Sequence, residues 1–293
     1  MDRFYSKEDV RQTIESLTAE HVVKDKMHLS RVLKEHTIIR SATIQRDEDA
    51  GVWRIVCQNA DDGTLEEMVF TITGALMQKE KTRFLSQSVQ LVGLGSNMFD
   101  NVVAAIKEIQ VMGEREFREG EMEEWKPTMA KEFVTVDLTN DEEGIPISQD
   151  VNPAGILAKM AQHRWIHTED NVVRYYRGTL DDEGKKRYVP AKPQMFRVGD
   201  IVEVQCSLVF MKTNEGAVRM KLILRALALV NSNHSSKANA DRRNAVNTQS
   251  PSILRMKRKI GFEEEEDDEG YVGAKKVNRS DDKEWEEGMV TDA

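Results

Sequence analysis

Apolar and polar positions alternate most regularly between residues 202 and 228. Val202, Val204, Cys206, Leu208 and Phe210 recur at every second position. After the turn Thr213-Asn214-Glu215-Gly216, Val218, Met220, Leu222, Leu224, Ala226 and Ala228 do the same. Side chains on a strand point to alternate faces, so a period of two predicts a long hairpin with one buried face. Glu203 falls on the polar face of its first strand. Two shorter stretches alternate as well. Val52–Gln58 places Trp53, Ile55 and Cys57 together, and Leu65–Thr73 places Met68, Phe70 and Ile72 together. With the β-prone stretch Thr37–Arg46 and turn-rich connections, they predict a three-stranded antiparallel meander.

Elsewhere the period is helical. Val10, Ile14 and Leu17 are spaced four and three, with Ser6 available as an N-cap. A second helix is expected through His28–Lys34, a third around Ala75–Leu91, and a fourth around Phe99–Phe117 on Phe99, Val102, Val103, Ile106 and Ile109. Pro127 marks a break. Beyond it the chain reads as a strand at Phe133–Leu138, a short helix at Ala154–His163 capped by Asn152, and strands at Asn171–Arg177 and Arg187–Pro190 leading into the hairpin. Strands in that number around one short helix suggest a curled sheet or an OB-like barrel. The predicted class is α+β. The expected units are an N-terminal meander with helices over 1–129, a strand-rich unit over 130–230, and a disordered tail over 231–293. Asn231–Ser252 is nearly free of large apolar residues, and Glu263–Glu269 is seven consecutive acids.

Composition narrows the function classes. The 293 residues carry 42 Lys and Arg against 51 Asp and Glu, a net charge of −9, so any nucleic-acid contact must use a local patch rather than a global positive field. Two cysteines, Cys57 and Cys206, exclude a disulfide scaffold and a four-cysteine zinc site, and they fit a reducing compartment. The opening stretch Met1–Val10 is charged and no long apolar run follows, so neither a secretory leader nor a membrane span is expected.

The richest candidate chemistry is a basic and aromatic stretch. Arg174, Tyr175, Tyr176 and Arg177 lie on one predicted strand, with Lys186, Arg187 and Tyr188 on the next, and Arg219, Lys221 and Arg225 on the outward face of the last. Aromatic rings stack bases, and Arg or Lys holds phosphates. The expected nucleic-acid-binding set is Arg174, Tyr175, Tyr176, Arg177, Lys186 and Arg219, with one of the two adjacent tyrosines turned into the core. In the tail, Arg242-Arg243 precedes Arg255, Lys257, Arg258 and Lys259 after an eleven-residue spacer, Asn244–Leu254. Two basic clusters so spaced suit a bipartite nuclear-import signal read by an acidic-grooved carrier.

Other motifs are weaker. His163 and His167 are four apart without a third ligand at metal-site spacing. Gly93-Leu94-Gly95-Ser96-Asn97 reads as the end of one element and the cap of the next helix rather than a phosphate loop. No nucleophile elbow occurs, and no carboxylate stands alone in an apolar run. No metal and no cofactor is expected.

Three blocks carry a resemblance: Asn152–Leu157, His167–Tyr176 and Met195–Val204, followed by a hairpin at Arg219–Leu229. Together they resemble a large, expanded group of uncharacterised proteins from mushroom-forming fungi, over roughly residues 150–230. The resemblance implies a shared fold and brings no activity or catalytic residue with it. Expanded groups of this kind often accompany mobile elements, an association that fits a nuclear, nucleic-acid-associated role. The sequence reading is therefore a nuclear, non-enzymatic protein that contacts single-stranded nucleic acid or a complex on it. The alternatives are a protein-interaction scaffold without nucleic-acid affinity, or an enzyme of unknown reaction.

Overall fold

A long central hairpin organises the sheet. In the computed structural model, β9 (Ile201–Lys212) and β10 (Val218–Asn231) pair antiparallel from Lys212↔Val218 to Ile201↔Asn231, with irregularities at Leu224/Ala226 and Leu229/Asn231. The structure describes residues 1–248 except 33–34, 36–38, 40, 49, 81–86, 127–131, 137–148, 151, 153, 156–158, 160–171 and 181–185. The hairpin is the one the alternation predicts as far as Leu224; the irregularity at Leu224/Ala226 then puts Leu227 and Leu229 in the core and turns Ala226 and Ala228, expected on the same buried face, to the opposite one. Val202, Val204, Cys206, Leu208, Phe210, Val218, Leu222 and Leu224 are all buried.

Strands from both ends of the chain dock on this hairpin. β1 (Thr43–Asp47), β2 (Val52–Gln58) and β3 (Leu65–Glu67) form the expected antiparallel meander. β4 (Val69–Glu80) continues past Met68 and pairs with β9 from Val69↔Ser207 to Ala75↔Ile201, while β2 pairs with β9 at Trp53↔Phe210. β5 (Gln87–Val92) joins β4 to β6 (Glu132–Val136), and β6 meets β10 in parallel at Leu222↔Val134. On the far side of β10 lie β7 (Arg174–Leu180), parallel to it, and then β8 (Lys186–Pro190). The order is β1-β2-β9-β4-β5-β6-β10-β7-β8, with β9 and β10 also paired directly. That extra pairing curls the middle of the sheet, as expected. The β6–β10 junction is a single register pair, and β1 and β8 are free ends, so the sheet as a whole is not closed.

The helices cover the curl. α1 (Lys7–Lys24) is capped by Ser6, whose side chain accepts from the Asp9 amide, and it buries Val10 and Ile14. α2 (Leu29–Val32) is one short turn. α3 (Asn97–Glu114) buries Phe99, Val102, Ile106 and Ile109 at the spacing predicted. Two glycines permit its close approach. A Cβ on Gly113 would lie 2.3 Å from the Phe210 ring, and one on Gly93 would lie 2.3 Å from Phe99.

Three further expectations are corrected. The described ends of the stretch 75–91 are strands and not a helix, with 81–86 outside the described residues. Ala75 and Leu76 belong to β4 and Val89–Leu91 to β5, because pairing with β9 and β6 overrides a composition that also suits a helix. The boundary at 129/130 separates nothing, since β2 and β4 of the first zone are hydrogen-bonded to β9 of the second, and Met1–Gln249 is one unit. The tail does not begin at 231. α4 (Asn233–Thr248) is helical and docked: Ala238 is buried in a second cluster with Tyr5, Val10, Ile14 and Ile201, and the Ser235 hydroxyl donates to the buried Asp200 carboxylate. The expected helix at 154–163 and the pair His163 and His167 lie largely or wholly outside the described residues. Among the described residues no helix is long and apolar enough to cross a membrane.

Candidate nucleic-acid interface

Register decides which of the expected site residues share a face. On the β7–β10 and β7–β8 ladders, Arg174 lies opposite Ala226, and Tyr176 lies between Ala228 and Pro190. Gly178 lies opposite Tyr188, and Leu180 lies opposite Lys186. Every second residue faces the same way. Arg174, Tyr176 and Gly178 of β7 therefore share one face with the Lys186, Tyr188 and Pro190 positions of β8. Ala228 carries that face on to Glu203 of β9, and Ala226 carries it to Gln205. The face has a floor of small residues, Ala226, Ala228 and Gly178, beside two aromatic rings and an exposed arginine.

The other expected residues fall away from it. Tyr175 points to the opposite face, where its ring packs edge-on to Phe196 at 5.5 Å between centroids; burial pushes its phenol up to about 12. It packs against the core, the outcome that alternation requires for one of two adjacent tyrosines. Arg177 is exposed on that same opposite side, with Val189 and Arg187. Arg219 does lie on the outer face of β10, but seven residues before Ala226, roughly 20 Å along the strand at the usual rise. It is bound there to Glu123, at 2.7 and 2.8 Å. Arg225 is likewise engaged, with Glu67 at 2.6 Å and the Ser207 hydroxyl at 3.1 Å. The structure thus gathers Arg174, Tyr176 and the Lys186 position, and separates Tyr175, Arg177 and Arg219 from them.

Tyr188 is the residue that reading the sequence undervalued. It is 42% exposed, yet its hydroxyl donates to Glu203 Oε1 at 2.9 Å. β7 and β10 lie between the two backbones, about 14 Å at ordinary strand spacing. Both side chains must therefore lie along the sheet, and the tyrosine ring spans the strip where Gly178 has no side chain. Glu203 is fixed from the other side by His21 of α1, whose Nδ1 sits 2.5 Å from Oε2. His21 and Glu203 are both largely buried, with side-chain exposures of 8% and 12%. Burial and the neighbouring Glu203 and Asp25 carboxylates hold the Tyr188 phenol far above its ordinary range, so it remains a hydrogen-bond donor. No sequence pattern marks this contact, because its partners lie on α1, β8 and β9.

A second histidine lies deeper in the same region. His28 is fully buried, with Nδ1 2.8 Å from the Ser30 hydroxyl and Nε2 3.2 Å from that of Thr73. Burial depresses it to about 4, against the opposing pull of Asp25 and Glu203, so it is neutral at pH 7. Among the described residues no group of three His, Cys, Asp or Glu side chains could hold a metal ion.

The first basic cluster of the expected import signal sits on α4. Arg242 donates from Nε to Asp2 at 2.8 Å, and Arg243 is exposed. Arg255, Lys257, Arg258 and Lys259 lie outside the described residues. No protein-family model matches this chain, and no curated protein matches its sequence.

Proposed function

We propose that the chain is a non-enzymatic binding protein for single-stranded nucleic acid, and that the outer face of β7–β8 is its contact surface. The observation that carries this reading is Tyr188, a partly exposed ring lying along the sheet and held by a hydrogen bond to Glu203. A ring already fixed in one orientation loses little freedom when a base stacks on it, and stacking tolerates any base. Tyr176 offers a second ring two residues from Arg174 on the same face, above the buried small residues Ala226 and Ala228. Arg174 is exposed for phosphates, with Lys186 at a register position on the same side. Compared with the expected set, Tyr188 replaces Tyr175, and Arg177 and Arg219 are left out.

The test is fluorescence anisotropy of the full chain with labelled single-stranded DNA, single-stranded RNA and duplex, each at two salt concentrations. Preference for single strands and weakening with salt support the proposal. Tyr188→Ala is expected to lose about 1–3 kcal/mol of binding, the usual worth of one stacking ring. No binding to any of the three at low salt overturns the reading and leaves a protein-interaction scaffold in its place. Nuclear residence belongs to the same proposal. It is supported by the spacing of Arg242-Arg243 and Arg255–Lys259, and is tested by the distribution of a fluorescent fusion when the second cluster is changed to alanine.

A further inference from the structure

The two halves of α4 are held differently. In the first half the Ser235 hydroxyl donates to Asp200, His234 lies 2.9 Å from the Thr13 hydroxyl, and Ala238 is buried in a cluster with Tyr5, Val10 and Ile14. After Ala238 no described side chain of the helix is buried. Arg242 ties this second half to the N-terminus. It donates from Nε and Nη2 to Asp2 Oδ2 at 2.8 and 2.5 Å, and from Nη1 to Asn239 Oδ1 at 2.5 Å. Side-chain exposures of 44% for Arg242 and 42% for Asp2 leave the pair open to solvent. The second half also contains Asn239, Asn244, Asn247 and Thr248, all weak helix formers.

We infer that this half of α4 is a brake on nuclear import, withholding Arg242-Arg243 from the carrier while it is helical and paired to Asp2. This rests on the import reading above. A carrier that takes the two basic clusters of an extended segment into acidic grooves must replace Asp2 as the partner of Arg242. Every nitrogen of that guanidinium is already donating, so these bonds are exchanged rather than added. Five residues of the spacer between the clusters, 244–248, also belong to the helix. A helix advances about 1.5 Å per residue and an extended chain about 3.3 Å, so these five cover roughly 8 Å where an extended segment would cover roughly 16 Å. An extended reading of both clusters therefore requires them to leave the helix. Unwinding from the C-terminal end past Arg242 leaves Ala238 and the Ser235–Asp200 contact in place. The change is local, and its balance is set by helix propensity after Ala238 and by the Asp2 pair.

The experiment measures binding of the full chain to a purified import carrier of the class that reads two basic clusters, by biolayer interferometry, in variants that keep all six basic residues. Asn244→Pro breaks the helix ahead of the spacer and is expected to raise affinity at least about threefold. Asn244→Ala with Asn247→Ala strengthens the helix and is expected to lower affinity about threefold. Asp2→Ala releases Arg242 and is expected to raise affinity about twofold, the scale of an exposed ion pair. Should the proline variant fail to fold, the alanine pair and Asp2→Ala carry the test. Opposite shifts from the helix-breaking and helix-strengthening variants support the inference, since the basic residues are the same in both. Equal affinity of the unmodified protein and all these variants overturns it while the import reading stands. No binding of the carrier by any form, Asn244→Pro included, overturns the import reading itself, and the brake with it.

Discussion

The two hairpins that flank the middle of the sheet are held by different forces. In β9–β10 nearly every inward side chain is apolar and buried, and Phe210 packs within 5.9 Å of Phe117 and against Gly113. In β7–β8 the outer strand is an edge with Tyr188 and Val189 exposed, and beyond its ladder to β7 it is tied across the sheet by the hydrogen bond from Tyr188 to Glu203. Burial is non-directional and scales with area, so it secures the first hairpin over its whole length. A hydrogen bond secures one point and fixes orientation there. The difference separates the part of the sheet that gives stability from the part that we propose meets a ligand.

That comparison breaks in order of expected size. Phe210→Ala is expected to cost about 3–5 kcal/mol of unfolding free energy, read as a fall in the urea midpoint. A loss below about 1 kcal/mol would show that the β9–β10 hairpin is not the stabilising element. Gly113→Ala should cost about 1–3 kcal/mol, because the added methyl meets the same ring in packed surroundings.

Acid probes the polar region beneath α1. His28 falls from 6.5 when unfolded to about 4 when folded, so the unfolded chain binds the proton more readily. Its contribution is complete above pH 6.5, is lost as the pH falls to 4, and is constant below that. The loss amounts to about 3 kcal/mol. Asp200 acts in the opposite sense, since burial raises its carboxyl and protonation relieves that cost. Unfolding curves at pH 7, 5 and 4 measure the sum. A urea midpoint that falls no further from pH 7 to pH 5 in the unmodified protein than in His28→Asn would contradict a buried, neutral His28.

Tyr188→Phe keeps the ring and removes its hydroxyl. It should cost about 1 kcal/mol of stability, the net worth of one hydrogen bond, and weaken oligonucleotide binding because the ring is no longer fixed. Equal binding by the variant would mean that the anchor has no part in recognition. Arg219→Ala is expected to change stability by less than about 1 kcal/mol, as for other exposed ion pairs, and to leave oligonucleotide affinity nearly unaltered. A large loss of affinity there would move the binding surface to the far end of β10.

The same contrast explains what the sequence could disclose. Strict alternation at 202–210 and 218–224 identified the β9–β10 hairpin, because one face is core there; beyond the irregularity at Leu224/Ala226 the core passes to Leu227 and Leu229, which the continued alternation through Ala226 and Ala228 did not foretell. Helix α3 was equally legible from Phe99 to Ile109. The strands at either end of 75–91 were not, since Ala75 and Leu76 are at home in either period and it is pairing with β9 and β5 that makes them strand. α4 was missed because its attachment is small and polar: Ala238, Ser235 to Asp200, and His234 2.9 Å from the Thr13 hydroxyl. For the candidate surface, alternation announced that Tyr175 and Tyr176 oppose each other but not which faces outward. The Tyr188–Glu203–His21 contact depends on strand order, which no local pattern carries.

Strand order has a consequence for how the chain comes to be folded. β4 finds its neighbour β9 about 130 residues later, and β2 waits about 155. At synthesis rates of about 5–20 residues per second, the first meander leaves the ribosome with one side unpaired for roughly 8–31 s. Contacts so distant along the chain also slow the search for the native topology. The charged residues Arg46, Asp47 and Glu48 at the end of the exposed edge strand β1 are well placed to discourage mispairing during that interval, the use that natural sheets make of charge at their margins.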